Sequence, residues 1–120
     1  MIGASLRFGI AFACAATVAS AAEAFERVDE KALFLELVKE RDLKRFAINL
    51  QVTEEGQITG KAFGMNVTGA WEWKDGYFCR DLFVGGDELG ANCQMVEIRR
   101  DKMRFTSDRG EGIYADFRLE

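Results

Sequence analysis

Trp71-Glu72-Trp73-Lys74-Asp75-Gly76-Tyr77-Phe78-Cys79-Arg80 is the stretch that decides the fold class. Asp-Gly suits the two central positions of a type I′ turn, whose backbone twist matches that of paired antiparallel strands. A turn that tight sets Lys74 opposite Tyr77, Trp73 opposite Phe78 and Trp71 opposite Arg80. Because side chains alternate across a strand, one face carries Trp71, Trp73, Phe78, Arg80 and Leu82. The other carries Glu72, Tyr77, Cys79, Asp81 and Phe83.

Working outward, a five-residue loop from Val84 to Glu88 would pair Phe83 with Leu89, Asp81 with Ala91 and Cys79 with Cys93. Both sulfurs then lie on one face, close enough to bridge if the pair is of the narrow, non-hydrogen-bonded kind. The surrounding chain repeats the pattern of short β-branched and aromatic segments separated by Gly and acidic turns. Strands are expected near 45–52, 57–63, 67–73, 77–83, 89–98, 102–107 and 113–119. The chain contains 12 Gly and no Pro, which fits a compact meander turning on glycine. Before it, Asp29 can cap a helix over Glu30 to Leu43, whose residues include good helix formers and no Gly. Ala32, Leu33, Phe34, Leu35, Leu37 and Val38 give that helix a broad apolar face that must lie on something apolar. The expected class is mainly β (α+β): one helix on a bent antiparallel meander of about seven strands, a half-barrel or small open barrel.

The first 24 residues have the order of an export signal: one cation at Arg7, an apolar run from Phe8 to Val18, then small residues from Ala19 to Ala24. Cleavage after Ala21 or after Ala24 satisfies the small-x-small rule. The apolar run is shorter than the roughly 20 residues of a bilayer span. Residues 25–120 then form a single domain, with no membrane span after cleavage. Ala11-Phe12-Ala13-Cys14 resembles a lipoprotein box with Ala11 in the place of leucine, but the apolar run continues past Cys14. Removal of the signal leaves Cys79 and Cys93, an even count in an oxidising compartment, so a disulfide is expected. A closed loop of about 15 residues is worth on the order of 3 kcal/mol.

The formal charge is −4, and loss of Arg7 makes it −5. That sign does not build a nucleic-acid surface, nor does an acidic exterior favour anionic membranes. With no His in the chain, Ser-His and Cys-His catalysis and the commonest transition-metal ligand are excluded. Two oxidised cysteines leave too few ligands for zinc. No metal or cofactor is expected. Gly110-Glu111-Gly112-Ile113-Tyr114-Ala115 matches a dinucleotide fingerprint in letters, yet no helix, second strand and acidic ribose ligand can follow before Glu120. It reads as a turn into the last strand. Asp81, Asp87, Glu88 and Asp108 sit where strand ends could gather carboxylates, without the spacing of a calcium loop. Trp71, Trp73, Tyr77, Phe78, Arg80 and Asp81 are the candidate binding residues, because aromatics with Arg are favoured at binding hot spots and stack on flat ligands. The competing reading is that the aromatics are the core under the helix.

Three runs carry a resemblance: Gly60 to Gly64 with Thr68 to Asp81, Asn92-Cys93-Gln94, and Arg104 to Gly110. Together they resemble a family of small exported alphaproteobacterial proteins, often labelled dihydrodipicolinate reductase. The resemblance spans most of the chain after the signal, with Trp71 to Asp81 its most specific part, and implies a periplasmic or secreted location in a Gram-negative envelope. A nicotinamide reductase would need a dinucleotide domain and a substrate domain, for which the chain has neither room nor fingerprint. Three functions follow as expectations. The first is a non-enzymatic binding module for an unknown small molecule or envelope protein, centred on the Trp71–Arg80 hairpin. The others are an enzyme working with carboxylates or Arg, and an envelope regulator or inhibitor adding a strand to a partner at an unclosed sheet edge.

Overall fold

The computed structural model describes residues 24–120, together with Gly3 and Gly9. The export-signal reading falls on residues 1–24 and lies almost wholly outside that span. Among the described residues ten strands and two helices follow in order: β1 Glu26–Val28, α1 Lys31–Val38, β2 Leu43–Arg45, β3 Ile48–Val52, β4 Gln57–Ala62, β5 Met65–Lys74, β6 Tyr77–Val84, β7 Asp87–Glu88, β8 Asn92–Arg99, β9 Lys102–Thr106, the single turn α2 Ser107–Gly110 and β10 Tyr114–Leu119.

The Asp75–Gly76 hairpin forms with the expected register, Trp71 opposite Arg80 through Lys74 opposite Tyr77, and both turn residues have positive φ. Cys79 pairs with Cys93, their Cα atoms 3.9 Å apart, and the sulfurs are bonded. Between these two features the register differs from expectation. Gly85 and Gly86 make a two-residue turn of their own, so Val84 faces Asp87 and Phe83 faces Glu88 rather than Leu89. One extra residue bulges out over Leu89–Ala91, Asp81 has no strand partner there, and the cysteine register is restored at Asn92 opposite Arg80. Two adjacent glycines favour the tight primed turn over the wider loop, and a bulge accommodates the difference.

The sheet closes, which corrects the expected open meander of seven strands. β8 pairs with β9, then β10, β2, β3, β4, β5 and β6 follow in order, and β6 returns to β8. That is an eight-stranded antiparallel barrel. β1 pairs alongside the second half of β8 and β7 alongside the end of β6. Among the described residues these short strands keep an unpaired edge, as does Tyr114–Phe117 of β10 on the side toward β2, but the two ends of the sheet invoked for strand addition are joined to each other. Closure requires sharp coiling, and two strand glycines supply it. A Cβ on Gly60 would lie 2.1 Å from the Asn49 carbonyl oxygen, and one on Gly69 would lie 2.3 Å from that of Asp81.

The helix is shorter than the sequence suggested, ending at Val38 rather than Leu43. Glu40 takes positive φ and Leu43 belongs to β2, opposite Leu50 and Leu119 inside the barrel. The demand for an eighth barrel strand thus overrides local helix propensity. The helix caps one end of the barrel, and its Phe34 is fully buried. Its ring packs 5.1–6.5 Å from the rings of Trp71, Trp73, Phe78 and Phe105, the range of favourable aromatic pairs. Val28, Leu43, Val96 and Met103 complete the core. The strands of the closed barrel and these core residues lie within 26–119.

Two outcomes are expected on unfolding in urea. Phe34→Ala should cost about 3–5 kcal/mol, because the cavity is walled by rigid rings. Reduction of Cys79–Cys93 should cost about 3 kcal/mol. A reduced protein with an unchanged midpoint would show that the cystine does not hold the barrel closed.

Candidate functional site

Alternation around the closed barrel sends Trp71, Trp73, Phe78, Arg80 and Leu82 inward, and Tyr77, Cys79, Asp81 and Phe83 outward. The six candidate binding residues therefore do not share one surface. Trp71 and Phe78 are buried beside Phe34. The Trp71 indole N–H donates to the Thr53 carbonyl at 2.9 Å and that of Trp73 to the Asp29 carbonyl at 3.1 Å, so each indole ties a loop to the helix end. Tyr77 lies on the outer wall with Arg27 and Arg109 over its ring, at 4.7 and 5.4 Å. Asp81 is also outside the lumen, and its Oδ1 is buried without a hydrogen-bond donor among the described residues.

Phe78 and Arg80 instead line an interior cavity of about 160 Å³. Phe78 and Phe105 form its floor: each packs against Phe34 as well as facing the cavity. Leu50, Val52, Ile58 and Phe117 supply apolar walls. The polar side chains in the lining are Arg80 and Gln94. Arg80 is half-buried, and burial pushes its guanidinium below the ordinary Arg value, partly offset by the charge of Asp81. Its Nη1 donates to the Gly90 carbonyl at 2.7 Å, the carbonyl that the Leu89–Ala91 bulge turns toward it. No carboxylate pairs with Arg80 among the described residues. A guanidinium has five N–H donors, so most of its capacity is left for something inside the lumen.

Gln94 was not singled out by sequence reasoning. Its signal was available, a polar residue on the face of β8 otherwise occupied by Val96 and Ile98, but it needed the correct register. The carboxylates considered together in the sequence stand apart. Asp87 and Glu88 are exposed in β7, and Asp108 bonds Asn92 at 2.8 Å. Among the described residues no group of three His, Cys, Asp or Glu side chains is placed to hold a metal ion. Gly110 ends the single helical turn Ser107–Gly110, and Glu111–Gly112 lead on toward β10, the turn into the last strand that was expected. No helix among the described residues is long and apolar enough to cross a membrane.

On the outer wall, Arg104 makes a two-point contact with Asp116, at 2.7 and 3.0 Å. Its guanidinium lies 4.1 Å from the Phe25 ring and 3.9 Å from that of Tyr114, pinning the chain ahead of β1. No protein-family model, no curated protein and no solved structure matches this chain. Its functional reading rests on the geometry above.

The Arg104 hydrogen bonds hold the Asp116 carboxyl below its ordinary range. A depressed carboxylate contributes stability that is complete above the unfolded pKa and is lost as pH falls through the folded one. Asp116→Asn should therefore cost about 0.5–1 kcal/mol at pH 7 and low salt. The difference from wild type should shrink as pH falls below the ordinary carboxylate range and through the depressed folded pKa, checked by urea titrations at neutral and acid pH.

Proposed function

We propose that this protein is a non-enzymatic binding module of the Gram-negative envelope, whose ligand site is the barrel lumen. The observation that carries the reading is Arg80: a half-buried cation in an apolar cavity, held by one backbone carbonyl and facing no carboxylate among the described residues. A half-buried charge with no ion-pair partner is costly, and an incoming anion removes that cost. The cavity walls select the rest of the ligand. A space near 160 Å³ is comparable to one that accepts a single aromatic ring. The ligand is a small amphiphilic monoanion, a carboxylate on a short alkyl or aromatic body, with its head on Arg80 and its body against Phe78, Phe105 and Phe117.

The Cys79–Cys93 bond supports an oxidising compartment, and the resemblance to small exported proteins supports the same location. Eight strands make a barrel whose interior either is filled or holds one small ligand, and here a partly filled interior keeps room beside a cation.

Residues 25–120 should be titrated with hexanoate and benzoate, and with 1-hexanol and benzyl alcohol as neutral counterparts, following the melting temperature. The acids should raise it and the alcohols should do so far less. Arg80→Met should fold as well as wild type or better, because a well-packed apolar side chain replaces a buried charge, and should lose the response to the acids. An acid response equal in wild type and Arg80→Met, or no response at millimolar acid, would sink the proposal.

A further inference from the structure

Connections between successive barrel strands alternate between the two ends. At the helix end they are 53–56, 75–76 and 100–101, and with the α1–β2 link 39–42 all are polar or glycine. At the opposite end the β2–β3 turn is Phe46-Ala47 and the β4–β5 turn is Phe63-Gly64. These two turns touch, the Phe63 N–H donating to the Ala47 carbonyl at 2.8 Å. Phe46 is 88% exposed and Phe63 64% exposed.

Neither ring packs into the core. Phe63 has φ +51 and Ala47 φ +59, a left-handed backbone that favours Gly, Asn or Asp. A large aromatic ring at such a position is strained as well as hydrated, and strain of this kind is kept where something outside the fold uses it.

The surroundings say what. Lys44, Arg45, Lys61 and Arg118 border one shallow concavity beside Phe46. On the outer wall, cross-strand pairing sets Lys44 beside Arg118, and from there toward the helix end Arg118 beside Lys102 and Lys102 beside Arg99. Like charges directly opposite each other destabilise a sheet. Glu120 offsets two of them, accepting from Lys44 at 3.1 Å and Arg118 at 2.5 Å. The four bordering cations still exceed it by three. A negative net charge thus conceals a basic rim around two exposed rings.

We infer that this rim docks on an anionic phospholipid bilayer, with Phe46 and Phe63 entering the interface and Lys44, Arg45, Lys61 and Arg118 against the headgroup phosphates. Aromatic tips flanked by cations are suited to an apolar layer beneath negative charge. Arg45 also lies 5.7 Å over the ring of Phe117, which lines the interior cavity, so the docked rim borders the lumen. The inference stands independently of the lumen's ligand.

The test is co-sedimentation of residues 25–120 with vesicles of phosphatidylcholine alone or with one-third phosphatidylglycerol. Binding should require phosphatidylglycerol and fall with salt. Lys61→Glu should weaken it about fivefold or more. Phe46→Ser with Phe63→Asn should weaken it about tenfold or more, while Asn relieves the left-handed position and leaves the melting temperature unchanged or higher. Absence of binding at low salt, equal binding to both vesicles, or full binding by the Phe46/Phe63 variant would overturn the inference. So would a dimer in sedimentation velocity that the same variant abolishes, which would assign the rim to a second copy of the chain.

Discussion

The seam between β6 and β8 makes a barrel of this chain. It is three residue pairs long, with Cys79 opposite Cys93 at its centre. The seam joins strands that are not consecutive, since β7 and a bulge lie between them, and it fastens the two open edges of the sheet to each other. A short ladder contributes few hydrogen bonds, so the covalent bond at its middle carries much of the closure. The bond also sits outside the barrel, leaving the inward residues Phe78, Arg80 and Gln94 to face the lumen. The cystine and the cavity are thus two faces of one register.

Closure gives the molecule two unlike ends. α1 covers one, and Phe34 enters the barrel there with four aromatic rings around it. Two of the rings that anchor the helix, Phe78 and Phe105, also floor the cavity, so the plug and the lumen share side chains. The other end lies away from α1, and its β2–β3 and β4–β5 turns expose Phe46 and Phe63 beside basic strand residues. An amphiphile leaving a membrane surface and entering the lumen would pass from the second environment toward the first, with Arg45 and then Arg80 as successive cations along the way.

Much of this was readable locally. Asp75-Gly76 predicts its own hairpin because positive φ at both turn positions is a property of those two residues. Period-two alternation sorted the flanking residues into two faces, and those two sets are the ones observed. The cysteine pairing followed from counting across the next hairpin, and survived although the Gly85–Gly86 turn and the bulge after it were not foreseen. The helix was overextended because the residues up to Leu43 are adequate helix formers. Only the barrel's need for β2 ends it at Val38.

The sequence by itself determined the β-rich class, the Asp75–Gly76 hairpin, the single cystine and the presence of a helix with an apolar face, because each depends on side-chain periodicity or turn chemistry over a few residues. Whether the sheet closed was decided by pairings between β6 and β8 and between β10 and β2, which neighbouring residues do not encode. Tertiary structure alone therefore placed Arg80 in a lumen rather than on a surface, made the tryptophans and Phe78 a shell around Phe34, and brought Phe46 and Phe63 together at one rim. The physical reason is common to all three: a strand's alternation says which side chains share a face, but only closure of the sheet says which face is inside.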